Sequence, residues 1–186
     1  MEKNTQIMGL GFQTFYASKE ETNCPLIVEM LRLFKKIEKK EFSKIIISMK
    51  YGRRVLINSD GNKKKDLSRK DFLEIVDYDP VKNNLLIIGI KKPLIESPLH
   101  YMIHHARKEV NIVVQIKNKK LAEKLNKKSY QVKTKTSFIT LEYIKQVLRG
   151  LREKTVVVIN DEDVLFTSDS VEKILDNIIK NFEGLK

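Results

Sequence analysis

Hydrophobic positions along this chain switch repeatedly between two periods. From residue 25 a helical spacing runs through Ile27, Met30, Leu31, Phe34 and Ile37, and Pro25 suits the opening of that helix. Two β-branched runs follow, Ile45 to Ile47 and Val55 to Ile57. Tyr51-Gly52 between them predicts a hairpin turn. The runs FLEIVDYDP and NNLLIIGI predict a second extended pair, broken at Asp79-Pro80 and Asn83-Asn84 and closed by Pro93. Glu96 to Lys108 reads as a helix with Leu99, Met102, Ile103 and Ala106 inside. VNIVVQI reads as a buried strand. Asn118 is placed to cap a helix KKLAEKL, YQVKTKT reads as a strand, and Thr140 to Leu151 as a helix. TVVVIN and VLFTS predict a hairpin around Asp161-Glu162-Asp163. Ser168 or Ser170 caps a last helix carrying Val171, Ile174, Leu175, Ile178, Ile179 and Phe182 on one face. Strands grouped with helices in this order predict an α/β fold, with a mixed sheet layered with helices.

Length and composition narrow this further. A chain of 186 residues with 41% hydrophobic and 32% charged positions forms one globular domain with a sizeable core. The expected division is an N-terminal arm over 1–24 and a single domain over 25–186. GLGF, Gly9 to Phe12, is too short for a phosphate loop and reads as a turn or as part of that arm. Lone Cys24 cannot form an internal disulfide and fits a reducing compartment. No run approaches the roughly 20 apolar residues of a membrane-spanning helix. The N-terminus lacks the pattern of a secretory leader, so a cytoplasmic location without membrane contact is expected.

The charge changes the list of partners. Lys and Arg number 36 against 24 Asp and Glu, a net of +12, which attracts phosphates, nucleic acid or acidic partners. The basic residues come in scattered pairs and in the triplet Lys63 to Lys65, with no aromatic residues interleaved as a base-stacking platform requires. Nucleic acid is therefore a partner suggested by charge alone, without a motif.

Three blocks resemble the class II aldolase/adducin family. SMKYGRRVLINSDG followed by LSRKDFLEIVDYD is similar to the family's Ser-x-Arg strand, Ile-Thr-x-Ser-Gly loop and following strand. KPLIESPLHYMIHHARKEVNIVVQIKN is similar to the block that ends in the family's His-x-His pair. Here Pro93, Glu96, Leu99, His100, Arg107, Val113 and Val114 fall at matching spacings. TVVVINDEDVLFTSDSVEKILDNI resembles the strand, Asn-His-Gly turn, strand and final helix. The resemblance covers most of 43–182. It implies a three-layer fold with a central, mostly antiparallel sheet flanked by helices. It also implies a homo-oligomer, commonly a ring of four. Active members hold zinc with three histidines and act on phosphorylated sugars as aldolases or epimerases, with a glutamate moving the proton. Neutral imidazoles suit that metal, which polarises the substrate oxygens.

The ligand positions depart from this pattern. The His-x-His pair falls on Gln115 and Lys117, and the turn histidine on Glu162, with Asp163 at the glycine. A fixed ammonium at Lys117 repels a divalent cation. Of the phosphate clamp, Ser59 and Gly61 keep their places as an anion-binding pair; of the proton machinery, Glu96 does. No metal or other cofactor is therefore expected. The first expectation is a divergent member that lacks zinc-dependent aldolase activity and binds an anionic small molecule or serves in assembly. The alternatives are a sugar-phosphate aldolase or epimerase with a rebuilt site, using Glu96 and Lys117 as catalytic groups, and a basic nucleic-acid-binding module.

Two constellations carry competing chemistry. Glu96, His100 and His104 stand at i, i+4 and i+8 on one helix face, and two histidines so spaced can chelate zinc. Packing is the competing role. Lys117 has two: a base or Schiff-base former with a lowered pKa, or an ion pair to Glu96 and Glu162. Two neighbouring carboxylates raise an amine's pKa, which favours the ion pair. Cys24 has no basic cradle or nearby histidine and reads as a structural thiol.

Overall fold

The computed structural model describes residues 11–59, 67–126, 128–134 and 139–185. Nine strands form one sheet: β1 (Gln13–Ser18), β2 (Lys44–Tyr51), β3 (Arg54–Asn58), β4 (Phe72–Asp79), β5 (Asn84–Ile88), β6 (Ile112–Lys117), β7 (Tyr130–Val132), β8 (Val156–Ile159) and β9 (Asp163–Ser168). Their order is β1-β5-β4-β3-β2-β6-β9-β8-β7. The outermost pairs, β1/β5 and β7/β8, are parallel; every inner pair is antiparallel.

Five helices cover both faces. Helices α1 (Ile27–Ile37), α3 (Lys119–Leu125) and α5 (Val171–Phe182) lie on one side; α2 (Ser97–Ala106) and α4 (Leu141–Glu153) lie on the other. Central strands buried on both faces must be apolar at consecutive positions, which explains the unbroken runs in β2 and β6. Alternation then sorts their side chains. Ile45, Ile47, Val114 and Ile116 join the core under α1, α3 and α5, whereas Ile46 and Val113 join the core under α2 and α4. The antiparallel hairpins, the three layers and the helix caps Asn118 and Ser170 follow the sequence pattern, whereas Thr140, expected as the first residue of a helix, caps α4 instead. Gly150 lets α4 approach β7: a Cβ there would collide with the Tyr130 ring.

The structure differs from the sequence pattern in three places. The segment expected as an arm before residue 25 supplies edge strand β1, and Phe12, Thr14, Thr22 and Cys24 are buried. Its signal is short because an edge strand pairs on one side only and turns few side chains inward. Beyond β1, the Thr22 hydroxyl donates to the Glu74 carboxylate, which Arg54 also binds at 2.9 Å. Helix α2 starts at Ser97, one residue after Glu96, with Pro98 in its first turn, and ends at Ala106 before Arg107 leaves helical geometry. Strand β7 is limited to Tyr130–Val132, and residues 135 and 136 of the expected strand lie outside the described residues.

Candidate functional site

Sheet register builds the site. Lys44 of β2, Lys117 of β6 and Asp163 of β9 face one another across three adjacent strands. One step inward stand Ile46, Gln115 and Leu165, and two further residues along stand Ser48, Val113 and Thr167. Because Ile46, Val113 and Leu165 pack under α2 and α4, these rows all face that layer. Helix α2 crosses above with Glu96 at its start and His100 and His104 one and two turns on.

Charges at the outer row are matched in pairs. Lys44 Nζ lies 2.7 Å from Glu96 Oε1, and Lys117 Nζ lies 2.9 Å from Glu162 Oε2. Sequence reasoning sets Lys117 between Glu96 and Glu162; the structure gives Glu96 to Lys44 instead. Sequence reasoning misses Lys44 because only the β2/β6 register sets it beside Lys117. The hydrogen bond to Glu162 raises the Lys117 amine pKa despite some burial, with Asp163 and Glu96 adding to the effect. The same bond lowers the Glu162 pKa. Burial raises the Asp163 carboxyl pKa, although Gln115 Nε2 donates to Asp163 Oδ1 at 3.2 Å. Tyr143 of α4 is also drawn in. Burial pushes its hydroxyl pKa up, and the carboxylates of Asp163 and Glu96 push it further.

Deeper in, the two histidines converge on one hydroxyl. Ser48 Oγ lies 2.7 Å from His100 Nδ1 and 2.8 Å from His104 Nε2, while His104 Nδ1 lies 3.2 Å from the Val110 carbonyl oxygen. Proton logic orders this chain. A carbonyl only accepts, so His104 Nδ1 carries the hydrogen and its neutral ring accepts at Nε2. Ser48 then donates to His104 and accepts from His100 Nδ1, which leaves His100 Nε2 as a bare lone pair beside Gln115. Burial lowers the pKa of His100 to about 3 and that of His104 to about 4, so both rings are neutral at pH 7. Glu96 Oε2, His100 Nε2 and Gln115 Oε1 are buried acceptors without a hydrogen-bond partner among the described residues.

Of the expected anion-binding pair, Ser59 is among the described residues. Ser59 Oγ donates to the Asp71 carbonyl at 2.9 Å, so its hydroxyl hydrogen already serves the local turn. Gly61 and Lys63 to Lys65 lie outside the described residues. Lys117 and Glu162 instead open onto a cleft of about 360 Å³ whose other walls include Ser43, Asn118, Lys119 and Lys120. Among the described residues, no group of three or more His, Cys, Asp and Glu side chains is arranged to hold a metal ion.

No protein-family model matches the sequence, and neither does any curated protein sequence. Solved structures do match. An L-fuculose 1-phosphate aldolase superposes with a TM-score of 0.67 over 88% of this chain and 85% of that one, at 10% identity. The chain has the class II aldolase fold. YgbL from Escherichia coli, described as a putative aldolase/epimerase/decarboxylase, gives a TM-score of 0.66 over 84% of each chain at 12% identity. The L-fuculose-1-phosphate aldolase from Thermus thermophilus gives 0.61 over 82% of this chain and 90% of that one at 16% identity. Within this class II aldolase fold, Gln115, Lys117 and Glu162 come together at one end of β6 and in the β8–β9 turn, next to Glu96 at the start of α2.

Proposed function

We propose that this class II aldolase-fold chain works without zinc and binds a small anionic molecule at the Lys117 cleft. The observation that carries the reading is the pairing of two lysine ammoniums, Lys44 and Lys117, with the carboxylates of Glu96 and Glu162. Zinc does not fit this donor set. It takes neutral imidazoles, thiolates or free carboxylates at about 2.0–2.3 Å. Gln115 offers a neutral amide, Lys117 offers a cation, and although His100 Nε2 keeps a free lone pair, no group of three His, Cys, Asp or Glu side chains among the described residues is arranged around a metal position. Glu96 and Glu162 each already face an ammonium, which reduces what either carboxylate offers a divalent cation.

The same ammoniums suit an anion. Lys117, Lys119 and Lys120 line the cleft, with Ser43 and Asn118 as neutral polar neighbours, and Glu41 and Glu162 are its acidic members. Covalent amine chemistry has no support here, because a Schiff-base lysine must lose its proton and Glu162 holds the Lys117 proton in place.

Calorimetric titration with pyrophosphate at low ionic strength tests the reading. Wild type is expected to bind with an affinity that falls as salt rises. The double variant Lys117→Met/Lys119→Ala is expected to bind at least tenfold more weakly. Absence of binding in wild type, or equal affinity in the variant, contradicts the proposal.

A further inference from the structure

A second cavity, of about 500 Å³, opens at the opposite end of the same strands. Three connections meet there: the turn from α2 to β6, the link from α4 to β8, and the passage from β9 into α5. Its contents differ from those of the Lys117 cleft, and it shares no residue with it.

The charges of this cavity are unevenly balanced. Glu109 is held by Arg107 Nε at 2.6 Å, and Asp169 by Lys173 Nζ at 2.6 Å. Both carboxyl pKa values are lowered, Asp169 chiefly by Lys173, and Glu109 chiefly by its own backbone N–H and then by Arg107. These two carboxylates therefore stay ionised and already face a cation. Arg152 and Lys154, also in the wall, have no ion pair among the described residues, against one unpaired carboxylate, Glu153.

Arg107 is set in place before any ligand arrives. Its Nη1 donates to the Leu151 carbonyl at the end of α4, and its Nε is bound to Glu109. A guanidinium held on two of its nitrogens keeps Nη2 in a fixed direction and has little rotamer freedom left to lose on binding. Two carbonyls in the last turn of α4 are already engaged: Leu151 O accepts from Arg107, and Gly150 O accepts from Lys154 N. Thr155 also lines the cavity, as do the apolar residues Val110 and Leu151.

We infer that this cavity is a second ligand site, for a small organic phosphate monoester, with the phosphate facing Arg107, Arg152 and Lys154 and the organic part facing Val110 and Leu151. A volume of this size accommodates a small molecule. Clustered guanidinium and ammonium groups are what a phosphate dianion recognises.

The test is a titration of ¹⁵N-labelled protein with phenyl phosphate, with phenol and inorganic phosphate as separate probes. Saturable shifts of the Thr155, Thr167 and Ser168 amides are expected with phenyl phosphate and not with phenol. Inorganic phosphate is expected to bind more weakly. The exposed pair Arg152→Ala/Lys154→Ala should weaken phenyl phosphate at this site at least fivefold. Lys117→Met/Lys119→Ala should leave these shifts unchanged, which keeps this outcome separate from that of the first cleft. No saturable shift at these amides, equal shifts with phenol, or shifts that persist in Arg152→Ala/Lys154→Ala would overturn the inference.

Discussion

Two polar groups of very different character lie at the same face of the sheet. The Ser48–His100–His104 chain lies in the interior, where all three residues have 0% exposure. The Lys117–Glu162 pair, at the outer row of the same sheet face, is about half exposed: 47% for the lysine and 51% for the glutamate side chain. Burial turns a hydrogen bond into a structural requirement, because an unmatched group inside has no water to replace its partner. Exposure does the opposite: an ion pair in water adds little to stability and leaves its charges available to a ligand. The interior chain therefore reads as architecture, and the outer row as the place where binding can change from one protein to another.

The largest effect expected from this contrast is on acid stability. His100 and His104 hold pKa values of about 3 and about 4 when folded, below the ordinary 6.5 they regain on unfolding. The unfolded chain therefore binds more protons throughout that window. Stability is complete above pH 6.5 and is lost as pH falls toward 4 and then 3. Each ring contributes a slope approaching ~1.4 kcal/mol per pH unit. Urea midpoints at pH 7.5, 6 and 5 should fall at each step, most steeply per pH unit between 6 and 5; a flat series would place the histidines in water and dissolve the contrast.

Replacing Ser48 with Ala removes one hydroxyl and strands two buried ring nitrogens. A loss of about 2–4 kcal/mol is expected in urea unfolding at pH 7.5. A loss under about 0.5 kcal/mol would show that the chain is not structural.

Lys44→Met tests the intermediate case. Glu96 is 14% exposed at its side chain and would lose its ion-pair partner. A cost of about 1–3 kcal/mol is expected, less than for a fully buried pair because Lys44 keeps contact with water. An unchanged unfolding midpoint would move Glu96 into the wet class. Lys117→Met should cost the least, under ~1 kcal/mol, since both partners are half exposed. Its consequence should appear in anion affinity instead, and a stability loss above about 2 kcal/mol would erase the distinction between the two regions.

Much of the fold could be read from local pattern. The helical spacing of α1 and α5, the Tyr51-Gly52 hairpin, and the caps at Asn118 and Ser170 are encoded within a few residues of each other. Edge strand β1 could not be read this way, because its parallel partner β5 lies some seventy residues away and its own alternation spans barely three inward positions. The site was half legible. Glu96, Gln115, Lys117 and Glu162 could be placed together through the family resemblance, but the partner of each charge could not. Lys44 meets Glu96 only because β2 and β6 pair in one register. Ser48 shows no sign in the sequence that it joins two histidines fifty residues later. Long-range pairing of this kind leaves no spacing to find.

The central proposal is that the Lys117 ammonium stands at a position where the resembled family places a metal ligand, and zinc content after equilibrium dialysis tests it most directly. Wild-type protein dialysed against micromolar zinc at pH 7.5 should retain no stoichiometric metal. The variant Gln115→His/Lys117→His/Glu162→His/Asp163→Gly should retain about one zinc per chain, because imidazoles then replace the amide, the ammonium and the carboxylate. One zinc per wild-type chain, lost on replacing His100 and His104, would contradict the account and move the metal onto α2.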